Sequence, residues 1–341
     1  QTLSAPPRAD RNPLRPQPPA TAARAADAPL MADPEYGAVE APSSRGCDAG
    51  QRGCAGCVQD TLAWPARLSF VSTFLLLTLP VWLYTALTDL LCGCCRTSDE
   101  SRRRRGRFIG WLTSLLWRLA FRLCCWIRLE THGLEVMRSA GQSGRRVFIA
   151  ANHASWLDTP IICACMPAHL VGDTKTLMAR THLGLPVLGR LAQAIGHLPV
   201  PFTSNERGNM RVDKERLAAT MEKVEAHLNT GGHLAIFPEG DLNSEWGALL
   251  PFRAGGIEIS IKFDMEVWGW VIAGTASCWP RSSACGGAPA VIKNKATLIY
   301  PSARDAAQRL AGADADLRTQ AVALADDLRS KMQHSLDELR M

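Results

Sequence analysis

The stretch FIAANHASWLDTP, residues 148–160, carries an apolar run into Asn152 and His153 and sets Asp158 five positions after the histidine. A short apolar run bounded by polar residues reads as a buried strand. A strand ending at Ala151 leaves Asn152 and His153 at the carboxyl edge of a sheet, where open α/β sheets place their ligands. Two readings of Asp158 fit. It can N-cap a helix opening at Thr159-Pro160, with the proline in the first turn where its missing N–H is no loss. It can equally be the carboxylate partner of an imidazole, and of the eight histidines only His153 has an aspartate five positions later.

Outward from this stretch the pattern alternates. RRVFIAA, HLVGD, GHLPV, HLAIF, VWGWVIAG and ATLIY read as short buried strands, and helical stretches near 158–166, 184–195, 212–229 and 254–263 separate several of them. The alternation predicts an α/β domain over 131–302, with a mixed, largely parallel sheet flanked by helices. Residues 303–341 place Leu310, Leu317, Leu324, Leu328 and Met332 at helical spacing among charges, which predicts a terminal amphipathic helical segment.

The amino-terminal third is of another kind. Residues 1–60 are rich in Pro, Ala and small polar residues and show no period, so they are expected to be disordered. The chain opens on Gln1 and a methionine occurs at Met31, so residues 1–30 are either an upstream piece or part of a leader, a plastid or mitochondrial transit peptide among the options. From Leu68 to Thr88 no charge interrupts an apolar run of a length that crosses a bilayer core. Residues 61–107 are therefore expected to form a transmembrane or re-entrant helix, kinked at Pro80, with a basic juxtamembrane loop. That loop holds Arg102, Arg103, Arg104, Arg105 and Arg107, which suit an anionic membrane surface better than nucleic acid and favour the cytosolic side for the remainder of the chain. Residues 108–130 read as an amphipathic interfacial helix, with Arg118 and Arg122 snorkelling beside Trp111, Leu115, Leu119 and Trp126.

The twelve cysteines show no disulfide framework. Cys54 and Cys57 form a CxxC with only Cys47 nearby, so no metal site is expected, and Cys92, Cys94 and Cys95 are juxtamembrane candidates for palmitoylation. Cys163 and Cys165, just after the histidine stretch, read as core residues rather than nucleophiles. No Gly-x-Ser-x-Gly elbow occurs, which removes the serine-hydrolase arrangement.

A second stretch, HLAIFPEGDLNSE, again runs a strand into a turn, with Pro238 and Gly240 flanking Glu239. Taken together and in this order, the two stretches resemble the glycerolipid acyltransferases that include 1-acylglycerol-3-phosphate acyltransferase. Asn152, His153 and Asp158 match the first motif, and Phe237, Pro238, Glu239 and Gly240 match the third. DTKTLMARTHLGLPVLGRLAQAIG, beginning near Lys175, and PFRAGGIEISIKFDMEVWGWVIAG, with Arg253, resemble two further blocks, so the likeness covers roughly residues 130–300.

The resemblance implies that His153 is a general base oriented by Asp158 and that no covalent acyl-enzyme forms. It also implies that Asn152, Lys175, Phe237, Pro238, Glu239 and Gly240 shape the substrate site. Acyl-CoA is then a co-substrate rather than a cofactor, and a lysophospholipid is the acceptor. Lysophosphatidic acid giving phosphatidic acid is the leading choice; lysophosphatidylcholine, lysophosphatidylethanolamine, glycerol 3-phosphate or a non-catalytic lipid-binding role are the alternatives. Membrane lipids, not nucleic acid, are the expected surroundings, in the endoplasmic reticulum membrane facing the cytosol or in a plastid membrane. Two departures bear on the acceptor: Phe202 stands where the family usually has an arginine after the second motif, and Asp241-Leu242 replace its Thr-Arg. Arg207, Arg211 and Arg253 are the candidates to supply the missing cations, because a guanidinium fork suits phosphate wherever it is anchored.

Overall fold

In the computed structural model, residues 54–92, 98–202, 212–243 and 247–341 are described. The expectations placed on residues 1–53, Cys94, Cys95, Arg207 and Arg211 fall outside them, as do those on the side chains of Cys54, Cys57 and Cys92. Two long helices come first, α1 (Cys54–Cys92) and α2 (Asp99–Leu123), then β1 (Ile127–His132), α3 (Leu134–Met137), β2 (Val147–Ala151), α4 (Asp158–Cys165), α5 (Ala168–Val171) and β3 (Thr174–Ala179). A 3-10 turn at Arg180–Gly184 leads to α6 (Leu188–Ile195), β4 (Leu198–Val200), α7 (Lys214–Asn229) and β5 (His233–Ile236). The chain ends with α8 (Ala254–Lys262), β6 (Glu266–Ala273), α9 (Thr275–Cys278), β7 (Ala290–Tyr300), α10 (Ala303–Ala311) and α11 (Leu317–Arg340).

The seven strands form one sheet in the order β1-β7-β6-β2-β5-β3-β4, parallel at every junction except β6–β7. This is the mixed, largely parallel α/β sheet expected from the alternation. β2 lies between β5 and β6 and is buried along its whole length. Its residues alternate between two cores, as the twofold period of a strand requires. Phe148 and Ala150 pack with Leu234, Ile257, Val267, Leu324, Leu328 and Met332 on the side covered by α7, α8 and α11, whereas Val147, Ile149 and Ala151 pack with Trp268, Trp270, Ile161 and Phe121 on the side covered by α2 and α4.

Several elements differ from expectation. HLVGD is mostly the short helix α5 and not a strand; Leu170 N and Val171 N both bond to Pro167 O, so the chain turns where an extended run was expected. β1 and β3 are additions to the expected strands: β1 begins inside the stretch that reads as interfacial helix and runs two residues past its end, and β3 alternates too weakly to stand out. Leu310 and Leu317 are exposed, while Leu324, Leu328 and Met332 are buried. α1 begins within the stretch expected to be disordered and continues through both Pro65 and Pro80.

α1 is the one described helix long and apolar enough, over Ala63–Leu91, to cross a bilayer. It is also docked on the domain: Phe74 packs against Trp117 and Phe121 of α2, and Trp117 Nε1 donates to the buried Thr78 hydroxyl at 3.1 Å. Its other side exposes Leu68, Leu75, Leu76, Leu79, Leu83 and Leu87, and α2 adds exposed Phe108, Trp111, Leu115 and Leu119.

The arginine cluster belongs to the first turns of α2 and not to a loop. Arg102 and Arg104 pair with Asp99 and Glu100, Arg105 with Asp89, and Arg103 and Arg107 both with Asp173. Arg118 does not snorkel either: its guanidinium donates to Ala164 O and Met166 O, capping the end of α4.

At the amino-terminal end of the parallel strands, Asp173, Arg103, Lys175, His197, His227 and His233 form a polar cluster. Burial first, and the Lys175 charge second, hold His197 and His227 down to about 4 from 6.5. An unfolded chain takes up those protons near 6.5 while the folded one refuses them, so stability is complete above that value and declines as pH falls toward 4. Unfolding free energy should therefore fall across this window by an amount on the order of several kcal/mol, read out as a lower melting temperature. His227→Gln, whose amide can still donate to His233 O but cannot take a proton, should flatten part of the slope. An unchanged slope would rule His227 out as its source.

Candidate active site

The sheet places the ends of β2 and β5 side by side, since Ala150 is level with Ile236. Asn152 extends the ladder by its side chain: Nδ2 donates to Ile272 O at 3.0 Å and Oδ1 accepts from Ile272 N at 2.7 Å. It is 4% exposed with both ends of the amide engaged, so it holds the strand end in place rather than facing a substrate as expected.

His153, one residue further, is gripped by its backbone. Its N–H donates to Glu239 Oε1 at 2.9 Å, and its carbonyl accepts from Asn243 N at 2.6 Å. Glu239 Oε2 accepts from Leu250 N and from Asn243 Nδ2, both at 2.9 Å. The third-motif turn therefore fixes the first-motif loop through one buried carboxylate. Burial pushes the Glu239 carboxyl up, against the pull of the hydrogen bonds it accepts.

The imidazole is fixed as closely. Asp158 Oδ2 lies 3.1 Å from His153 Nδ1 and accepts from Ala154 N at 2.7 Å and Ser155 N at 2.8 Å. An oxygen already receiving two N–H donors acts as acceptor toward Nδ1 as well, so Nδ1 carries the proton and Nε2 keeps the lone pair. Asp158 is the first residue of α4, and its carboxylate turns back to the loop before the helix instead of capping the N–H groups ahead. The ring stacks on Phe237, with centroids 4.0 Å apart and planes within 15°. The side chain remains 15% exposed, while that of Asp158 is fully buried.

Pro238 O accepts from Arg253 N at 2.8 Å, which brings the amino end of α8 against the turn. Gly240 has φ +73, and a Cβ there would lie 2.4 Å from Arg253 Nε, so glycine is needed for both the backbone and the approach of that arginine. Asp241, where the family pattern has threonine, pairs with Arg281 at 3.3 Å, and the same guanidinium donates to Leu242 O. Arg281 escaped notice in the sequence because it sits in the β6–β7 connection, 40 residues away. His182 also went unread: it meets Trp156 edge-on, and burial together with the nearby His153 holds its imidazole below the usual range.

Lys175 does not join this group. It is level with Leu234, which is level with Phe148, five residues before His153 along β2. At about 3.3 Å per residue that is roughly 16 Å toward the opposite edge of the sheet. There it belongs to the Asp173 cluster, and burial lowers its ammonium. Cys163 is pushed up to about 12 by burial, and Cys165 is raised as well, so neither offers a thiolate. Among the described residues, no cluster of three or more His, Cys, Asp or Glu could hold a metal.

The histidine–aspartate pair at the end of β2, tied to a Phe-Pro-Glu-Gly turn at the end of β5, lies within residues 128–273, which match the acyltransferase family model. Over that span the chain is similar to the acyltransferase family. Over 187 residues it is 26% identical to the 1-acyl-sn-glycerol-3-phosphate acyltransferase of Cocos nucifera, covering 54% of this chain and 52% of that one. Over 135 residues it is 30% identical to the enzyme of the same name from Neisseria gonorrhoeae, covering 40% and 47%. The chain thus spans about half the length of the curated relatives it matches. The crystal structure of the 1-acyl-sn-glycerophosphate acyltransferase PlsC from Thermotoga maritima superposes with a TM-score of 0.58 at 15% identity, covering 83% of this chain and 98% of that one, which shows a shared fold. The matched span has both motifs in place, while Phe202 and Leu242 stand where two arginines are expected after them.

Proposed function

We propose that the protein transfers a fatty acyl chain from acyl-CoA to the free hydroxyl of a lysophospholipid, most readily 1-acyl-sn-glycerol 3-phosphate. The observation that carries this reading is the His153 Nδ1 to Asp158 contact at the carboxyl edge of β2, with Nε2 left basic. An alkyl alcohol is a poor nucleophile at neutral pH, and an imidazole positioned beside it overcomes that. The acceptor oxygen forms its bond to the thioester carbonyl carbon as its proton passes to Nε2. The tetrahedral adduct then collapses, the carbon–sulfur bond breaks, and the imidazolium returns the proton to the leaving thiolate. Asp158 stabilises the imidazolium between these steps. The exposed apolar sides of α1 and α2 suit a domain seated in a membrane, which we place as the endoplasmic reticulum with this domain in the cytosol, or a plastid membrane.

Recognition of the headgroup falls to Arg253 and Arg281, which flank the Gly240-Asp241 turn. Detergent-purified protein offered labelled acyl-CoA and a panel of lysophospholipids and glycerol 3-phosphate tests the reaction and the acceptor together. With lysophosphatidic acid, Arg253→Ala should raise the acceptor KM by ten- to a hundredfold, as expected for charge-assisted bonds of about 1.5–3 kcal/mol, with little change in acyl-CoA saturation. Wild-type acceptor kinetics in each of Arg207→Ala, Arg211→Ala, Arg253→Ala and Arg281→Ala would overturn the phosphate assignment. The Asp241–Arg281 pair favours a second reading, because a guanidinium already facing a carboxylate attracts a phosphate dianion less. Preference for lysophosphatidylcholine or lysophosphatidylethanolamine would support it while leaving the acyl-transfer chemistry intact.

A further inference from the structure

A cavity of about 610 Å³ opens at the carboxyl end of α1, lined by Trp82 and Asp89 of that helix, Arg105 of α2, Leu183 and Pro186 from the segment before α6, and Arg190 of α6. None of these residues is among the hydrogen-bond partners of His153, Asp158 or Glu239. The charges around it do not balance. Arg105 Nη1 lies 2.8 Å from one oxygen of Asp89, and Arg190 Nη2 lies 3.3 Å from the other. One carboxylate thus faces two guanidinium groups, leaving a formal charge of +1, and no other ionisable side chain lines the cavity among the described residues. Arg105 Nη1 also lies 3.3 Å from Thr88 Oγ1, while Arg105 Nε and Arg190 Nε are buried donors with no hydrogen-bond partner. Arg190 sits over the Trp82 ring, 5.6 Å from its centroid, which orients the guanidinium without using any of its donors.

Beside these cations the wall is apolar, formed by Leu183, Leu185, Pro186 and Val187, and Leu188 next to them is exposed. A ligand that satisfies both features has an anionic head and a hydrocarbon body. We propose that this cavity binds the phosphate headgroup of an anionic phospholipid, whose acyl chains run out over the apolar Leu183–Leu188 stretch. A small shift of either guanidinium onto phosphate oxygens supplies the missing partners, and guanidinium suits phosphate both in geometry and in its weak hydration. The assignment does not depend on the acyl-transfer reading, although it does take the Leu183–Leu188 stretch to be in contact with lipid. A soluble organophosphate such as CoA shares the phosphate chemistry but has no body to match the leucines.

Native mass spectrometry of the full chain in detergent, titrated separately with phosphatidylglycerol, phosphatidylcholine and CoA, tests this. Phosphatidylglycerol should bind more tightly than phosphatidylcholine. Arg105→Gln and Arg190→Gln should each weaken phosphatidylglycerol by about fivefold, as for loss of one arginine near an anionic headgroup, with phosphatidylcholine unchanged. Asp89→Asn should strengthen it, because the competing carboxylate is gone. That opposite sign separates a ligand site from a structural ion-pair triad, in which all three substitutions would act alike. Arg190→Lys, which keeps the charge, should retain the preference for phosphatidylglycerol and guards against a glutamine variant that fails to fold. Equal binding of the two lipids by the unaltered protein, or weaker binding in Asp89→Asn, would overturn the proposal. So would displacement of phosphatidylglycerol by equimolar CoA, which would assign the site to a soluble phosphate.

Discussion

Replacing His153 with alanine should lower kcat for acyl transfer by a hundredfold or more while leaving the melting temperature nearly unchanged. A positioned general base contributes about 10²–10⁴ in rate, which corresponds to roughly 3–5 kcal/mol of transition-state stabilisation. The base acts only as the hydroxyl proton moves, so kcat and kcat/KM should fall together and both KM values should hold. The fold should tolerate the change because the backbone of residue 153 keeps its bonds to Glu239 and Asn243, and Asp158 Oδ2 keeps the Ala154 and Ser155 N–H donors. What is lost is one partly exposed ring and its stacking on Phe237. Full turnover in a folded His153→Ala protein would remove the histidine from the chemistry and leave the motif a structural one.

That separation of rate from stability is legible in part from the sequence alone. The strand ending at Ala151 and the pairing of His153 with Asp158 depend on residues at most a few positions apart, and local periodicity reports such features. The terminal helices and the central strands β2, β5 and β6 are readable for the same reason. The purposes of Asn152, Glu239 and Arg118 do not show, because each is fixed by backbone groups 46 or more residues away: Ile272, His153, and the end of α4. Nothing in a window of sequence distinguishes an asparagine that extends a ladder from one that meets a substrate. Lys175 is misplaced for a related reason: β3 does not stand out as a strand, so its register, and with it the depth of Lys175 beneath the edge, has no frame. The Asp241–Arg281 pair is hidden too, although an aspartate at a position where threonine is usual invites a search for a new cation nearby.

Glu239→Ala should have the opposite profile to His153→Ala, losing stability and turnover together. Glu239 is 4% exposed and accepts from two backbone donors, His153 N and Leu250 N, as well as from Asn243 Nδ2. Alanine leaves the two backbone N–H groups buried without partners, at about 1–3 kcal/mol each, against a total stability of about 5–15 kcal/mol for a domain. The Asn243 amide is less affected, because Nδ2 also donates to Ala248 O at 2.7 Å. A fall in melting temperature is therefore expected, and with it a loss of rate: once residue 153 is no longer held through its N–H, the imidazole is free to drift from the acceptor hydroxyl, and misplacement by about 1 Å can cost about a hundredfold. Glu239→Gln gives an internal control. A carboxamide has one accepting oxygen where the carboxylate has two, so it can serve either the His153 side or the Leu250 and Asn243 side while its amino group faces donors on the other. Partial rescue of both stability and rate is the expected result. If Glu239→Ala melted like the unaltered protein and kept its turnover, the buried carboxylate could not be what couples the two motifs, and the position of His153 would have to rest on Asp158, Asn243 and the Phe237 ring.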